Sequence, residues 1–215
     1  MVELHWGFVD RQFSLPLDAE GLWGRLERVS LDGGTVPTLS PEDLLLILCM
    51  HGSVYLWERL GWTCDVAELI HARKGVDWEW VTEQAAALGG ERMFFLGLYL
   101  ASDLLGAPLP RDVLHKVEAD PTVKVLAREV HERLSWEVNN SPPPVPVAFG
   151  EIPFHLRMRE RLRDKIWYLV DAAMTPTVND WRLLPLSVYF FPAYYVVRPI
   201  RLTGKYGRRL LGCFS

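Results

Sequence analysis

The chain has 215 residues, a formal net charge of −4, 49% apolar residues and 23% charged ones. That length buries a real core as one domain or two small ones, the composition is that of an ordinary globular protein, and the acidic balance speaks against a general nucleic-acid binder. Met1 leads into VELHW without a basic, apolar leader, and no apolar run reaches bilayer length, so a cytoplasmic protein is expected. Cys49, Cys64 and Cys213 form no CxxC or other metal-ligand spacing. The first two sit in apolar, helical surroundings and read as small core residues of a reduced protein.

Val2, Leu4, Trp6 and Phe8 alternate with Glu3, His5, Gly7 and Val9, the period of a half-buried strand. An isolated strand is not stable in water, so this one reads as the last piece of a larger sheet, and the chain as a truncated form. A short helix is expected over Asp18 to Leu26 with Asp18 as its N-cap. LERVSL, Asp32-Gly33-Gly34 and TVPTL then predict a hairpin, with Pro37 pushing the second strand to an edge.

The densest apolar periodicity runs from Leu39 to Val81. Ser40 as N-cap, Pro41 at N1 and Asp43 at N3 start a helix whose Leu44, Ile47, Leu48 and His51 share a face. Trp62, Val66, Leu69 and Ile70 mark a second helix, with Asp65 on the same stripe; Gly52 and Gly61 are the expected breaks, and Gly75 the end. Asp77 caps the next helix, closed by Gly89-Gly90, and an apolar helix follows over Glu91 to Leu105. Further helices are predicted over Arg111 to Glu118, Thr122 to Val138 and, with a basic start, Ile152 to Ala173. The proline-rich NNSPPPVPVAFG at 139–150 reads as a stiff linker. The expected fold class is α+β, mainly α: a strand and hairpin remnant of a sheet over 1–39, a helical domain over 40–138, the linker, and C-terminal helices over 151–215.

Gly52-Ser53 followed by Asp65 and Glu68 imitates a nucleotidyltransferase site, in which a glycine-serine turn receives the triphosphate and two acids hold magnesium. The imitation fails. Those acids lie three apart on a helix, whereas the chemistry needs two acids one residue apart on one side of a strand, and the chain contains no D-x-D. His51, Glu58 and Asp65 recur every seven residues, so a continuous helix would align them as a polar seam. Such a seam either lines a cleft, with His51 as acid/base or phosphate contact, or ties two helices together, with Arg59 pairing Asp65. Trp57, Trp62, Trp78 and Trp80 read first as core, with stacking on a base or sugar as the alternative. Over 183–215, aromatic and β-branched residues precede a basic tail; three prolines favour a packed helix with a solvated end over a membrane-interfacial one, although membrane association through this segment stays open.

Taken together, VELHW at 2–6, LSPEDLLLILCMHG at 39–52, LWERLGWTCDVAELI at 56–70, VDWEWV at 76–81, LGLYLASDLLGAPLP at 96–110, PTVNDWRLLPL and VVRPIRL resemble the uncharacterised nucleotidyltransferase-like family, distant relatives of polymerase-β-type nucleotidyltransferases. The resemblance implies Mg²⁺ and an NTP as cofactors and a small-molecule or protein acceptor. It carries only one metal-binding carboxylate, onto Glu3; in a chain derived from such an enzyme, the His51, Glu58 and Asp65 seam read from the spacing is expected to shape the acceptor side, which makes these three catalytic candidates as well. The family's leading D-x-D acids have no counterpart, and Val54-Tyr55 stand where members tend to have Lys-His. The chain alone is therefore expected to be inactive; the alternative is a non-catalytic helical module for a protein or peptide partner.

Overall fold

The computed structural model describes residues 18–31, 33–138, 147–176, 178–185, 187, 190 and 193–201. The expected strand around Glu3 and the proline-rich stretch 139–146 lie outside the described residues. The order is α1 (Ala19–Gly24), β1 (Glu27–Leu31), β2 (Gly34–Thr38), α2 (Pro41–Val54), α3 (Leu60–Ala72), α4 (Trp78–Leu88), α5 (Glu91–Leu105), α6 (Arg111–Ala119), α7 (Pro121–Val138), α8 (Val147–Met158), α9 (Leu162–Met174) and α10 (Val178–Leu183). The fold is α+β, mainly α. β1 and β2 form the expected antiparallel hairpin, with Val29 opposite Val36 and Pro37 opposite Arg28.

Chain contacts divide the protein into two units, 1–162 and 163–215. In the first, the centre is α5 rather than the 39–81 stretch: α2, α3, α4, α6 and α7 all pack against it. Its Met93, Phe94, Phe95, Leu96, Gly97 and Leu98 are consecutively buried, which an amphipathic helix facing a single neighbour would not show. α8 also belongs to this unit. It starts at Val147, inside the expected linker, and Phe154 and Met158 are fully buried in the core. The single helix expected over 152–173 is broken between α8 and α9 because the chain is pinned there. Arg92 on α5 donates to the Arg157 carbonyl at 2.7 Å and its backbone N–H to Glu160, while Arg161 donates to the Ala86 carbonyl at the end of α4 at 2.6 Å.

The start of α2 follows its sequence signal and adds a partner. Ser40 Oγ accepts from the Asp43 backbone N–H at 3.2 Å and donates to the Asp43 carboxylate at 2.8 Å. Arg25, beyond α1, grips the same carboxylate with two bonds of 2.8 Å. Asp43 is only 3% exposed. A paired, hydrogen-bonded charge survives burial, whereas a lone one does not. Arg25→Ala strands that carboxylate and is expected to lower stability by about 1–3 kcal/mol, read as a lower urea midpoint at unchanged slope.

Between α2 and α3 the chain turns through a corner made without glycine. Gly52 and Gly61 are both inside helices, contrary to expectation, and the turn falls on Leu56 (φ 60°) and Trp57 (φ 53°). The Leu56 N–H donates to the Ser53 carbonyl at 3.2 Å and the Trp57 N–H to the Gly52 carbonyl at 2.8 Å, the paired bonds of a Schellman motif. Two left-handed non-glycine residues in a row are strained. Burial compensates, since Leu56 is 4% exposed and Trp57 not at all. The indole N–H donates to Ser53 Oγ at 3.2 Å, and Ser53 in turn to the Met93 carbonyl of α5 at 3.4 Å. Gly52 and Gly97 leave the space the ring occupies: a Cβ on Gly52 would fall 2.6 Å from three indole atoms, and one on Gly97 3.0 Å from the ring and 2.5 Å from Cys49 Sγ.

The second unit contains α9, α10 and the helical residues 194–201. Asp180, fully buried, pairs with Arg198 at 3.2 Å and Arg201 at 2.7 Å. Arg198 also donates to the Ala172 carbonyl from Nε and from the guanidinium end.

Candidate functional site

The corner sets the geometry of the most distinctive surface of the first unit. By folding the start of α3 back beside the end of α2, it brings His51, Tyr55 and Trp62 into one cluster of rings. Centroid separations are 4.8 Å for His51–Tyr55, 5.6 Å for His51–Trp62 and 5.5 Å for Tyr55–Trp62, the middle pair edge-on. The Arg59 guanidinium lies over the Trp62 ring, 5.8 Å from its centroid. Tyr55 is 47% exposed, and His51 and Trp62 are half-buried. Clustered rings held by their own contacts, with a cation on one of them, present a π surface suited to a planar or cationic ligand.

The predicted site residues separate. His51 belongs to this cluster. Glu58 and Asp65 are exposed rather than buried, because the helix ends at Val54 and the seven-residue alignment ends with it. Arg59 sits on Trp62 instead of pairing with Asp65. Glu3 lies outside the described residues. Acid pairs one residue apart do occur at Asp18–Glu20, Asp77–Glu79 and Glu118–Asp120, but each is at a helix end and none on a strand. Asp77 Oδ1 accepts the Trp80 N–H at 3.0 Å as a helix cap. Among the described residues, no group of three or more His, Cys, Asp and Glu is placed to hold a metal ion.

Glu58 contributes instead to a second polar cluster that sequence reasoning missed. On α7 and α8, Arg133 lies over the Phe154 ring at 4.8 Å, and Arg157 forks onto Glu129, one arm at 3.1 Å. Burial pulls the Arg133 guanidinium down, against the charges of Glu129, Glu58 and Glu151. Burial and the charge of Glu58 push Glu151 up, with Arg133 opposing. His155, 6% exposed, is pushed down to about 3 by burial and by the cations Arg159 and Arg133. Arg159 is 1% exposed and donates to the His155 carbonyl at 2.8 Å. No spacing in the sequence marks this cluster, whose members come from three elements. Elsewhere in the unit, burial works against the charge of Asp120, but Arg92, 2.6 Å away, and the Thr122 N–H hold its carboxyl below the usual range. Cys49 is buried and its thiol pushed up by burial alone, which makes it the inert core residue that was expected.

Residues 1–106 match the family model described as uncharacterised nucleotidyltransferase. The matched stretch ends one residue after α5, so it contains the corner, the ring cluster and Glu58, and excludes α6 to α10. Comparison with curated proteins and with solved structures gives no match.

Proposed function

Because the chain is nucleotidyltransferase-like over residues 1–106, we propose that it derives from a nucleotidyl-transfer protein and uses the His51–Tyr55–Trp62 face to hold the base of an NTP. The family match carries this reading, and the ring geometry supports it. Base stacking on aromatic side chains is tolerant of base identity and worth about 1–3 kcal/mol per base, and Arg59 adds a cation beside the ring for a phosphate or a base edge. Val54 and Tyr55 cannot supply the charge of a Lys-His pair, so affinity rests on stacking more than on phosphate contacts. Glu3 is the one metal carboxylate the resemblance supplies, with Glu58 and Asp65 assigned to the acceptor side. One carboxylate does not organise a two-metal displacement. The 215-residue chain is accordingly expected to show no NTP-dependent transfer.

Calorimetric titration with ATP, with and without magnesium, tests the nucleotide reading. Trp62→Ala is expected to weaken binding about tenfold, about 1.4 kcal/mol, measured at a temperature where circular dichroism shows the variant folded, because Trp62 also packs against the core. Absence of heat for the unsubstituted chain would favour a non-catalytic module, for which the missing D-x-D and Val54-Tyr55 are the specific observations.

A further inference from the structure

The helix α9 is turned inside out. At 3.6 residues per turn, Ile166, Trp167, Leu169, Val170 and Met174 fall on one side, and each is between 41% and 53% exposed. On the opposite side Asp164 and Tyr168 are buried, 7% and 6% exposed. Among the other described residues of the second unit, Asp180 is buried with its arginines, while Leu183, Val196 and Ile200 are exposed. Water-facing helices bury their apolar stripe, and a contiguous exposed apolar face marks an interaction surface.

Charge indicates what the face meets. Residues 163–215 contain eight Lys and Arg against three Asp, a net +5, whereas the whole chain is −4. Two copies of this unit would repel each other face to face, and an anionic surface would attract it. Among the described residues no helix is long and apolar enough to cross a membrane. α9 has 13 residues and spans about 20 Å, less than the roughly 30 Å hydrocarbon core. Lying in the plane of the headgroups, it would bury its apolar side while Arg163 and Lys165 stay at the phosphates, and Trp167 suits that depth. We propose that the second unit docks on an anionic lipid surface through the Ile166–Trp167–Val170 side of α9. This surface is independent of the nucleotide reading.

The test is co-sedimentation of the full chain with phosphatidylcholine vesicles, with and without phosphatidylglycerol. Anionic vesicles are expected to carry down at least about tenfold more protein, and added salt to reduce the bound fraction. Val170→Glu and Ile166→Glu, both at exposed positions, are expected to abolish pelleting while leaving the far-UV circular dichroism and melting temperature unchanged. Equal recovery on neutral and anionic vesicles, or pelleting unaffected by both substitutions, overturns the proposal. A chain that stays in the supernatant overturns it as well, and one that is then a dimer made monomeric by Val170→Glu identifies a second copy as the occupant.

Discussion

Trp57→Ala is expected to be the most damaging single substitution in the first unit, lowering stability by about 3–5 kcal/mol. The indole is fully buried, and its removal opens a cavity bounded by α2 and α5. It also ends the relay from the indole N–H through Ser53 to the Met93 carbonyl. The complementary experiment adds atoms. Gly52→Ala improves helix propensity by about 1 kcal/mol, yet its methyl would meet the ring at 2.6 Å. A fully packed indole has nowhere to move, so a net loss of about 1–3 kcal/mol is expected. Gly97→Ala is expected to lose a similar amount through contact with Cys49. Urea unfolding followed by circular dichroism measures all three. Stabilisation by Gly52→Ala would show that propensity, not packing, governs the position.

The second large effect is a dependence on acid. His155 is held neutral in the fold, its pKa pushed down to about 3, against an ordinary value near 6.5 in the unfolded chain. The unfolded state therefore binds a proton as pH falls below about 6.5, and the folded state does not until about pH 3. Stability from this group is fully present above pH 6.5 and is lost as pH falls, by about 1.4 kcal/mol per unit, or roughly 2 kcal/mol by pH 5. Glu151 and Glu160, whose carboxyls are pushed up chiefly by burial, act in the opposite sense. Each disfavours folding while ionised in both states, and that cost is relieved as pH falls through its raised folded pKa. Asp120, held low, acts below its ordinary carboxylate range. His155→Gln separates these contributions. Unfolding free energies from urea titrations at pH 7 and pH 5 are expected to differ in the unsubstituted chain by about 2 kcal/mol more than in the variant, and an equal difference would show that the fold does not hold His155 neutral.

Local signals proved legible and spatial ones did not. Ser40-Pro41, Asp77 and Gly89 fixed helix ends because caps and left-handed glycines act within a few residues of the chain, and Asp32-Gly33-Gly34 located the hairpin for the same reason. Gly52 misled because a glycine in a helix also signals a notch for a neighbour, and only the fold shows that Trp57 fills it; at Gly61 a side chain would meet open space, and no packing explains the glycine there. The corner could not be anticipated, since its left-handed residues are Leu56 and Trp57, types that rarely adopt such backbone angles. Once the corner is present, the seven-residue alignment of His51, Glu58 and Asp65 disappears, and with it the seam expected from it. Tyr55, set aside as a departure from the family's pattern, became a member of the ring cluster. The cluster around Arg133, Glu151 and His155 joins residues from distant segments and leaves no local trace.

The corner between α2 and α3 has a bearing on how this chain acquires its shape. Leu56 and Trp57 hold backbone angles that cost of order 1–3 kcal/mol each, and the groups that offset this cost belong to α5, about 40 residues later. Met93 supplies the acceptor for Ser53, and Gly97 the recess for the indole. A nascent chain reaching only to α4 would have both helices and the local hydrogen bonds of the turn, but not the α5 groups that offset its strain. The hinge angle, and with it the meeting of His51, Tyr55 and Trp62, becomes fixed only when α5 arrives. Assembly of the candidate ligand face and closure of the hydrophobic core are thus a single cooperative event, and a peptide ending before Met93 would be expected to carry the rings without their arrangement.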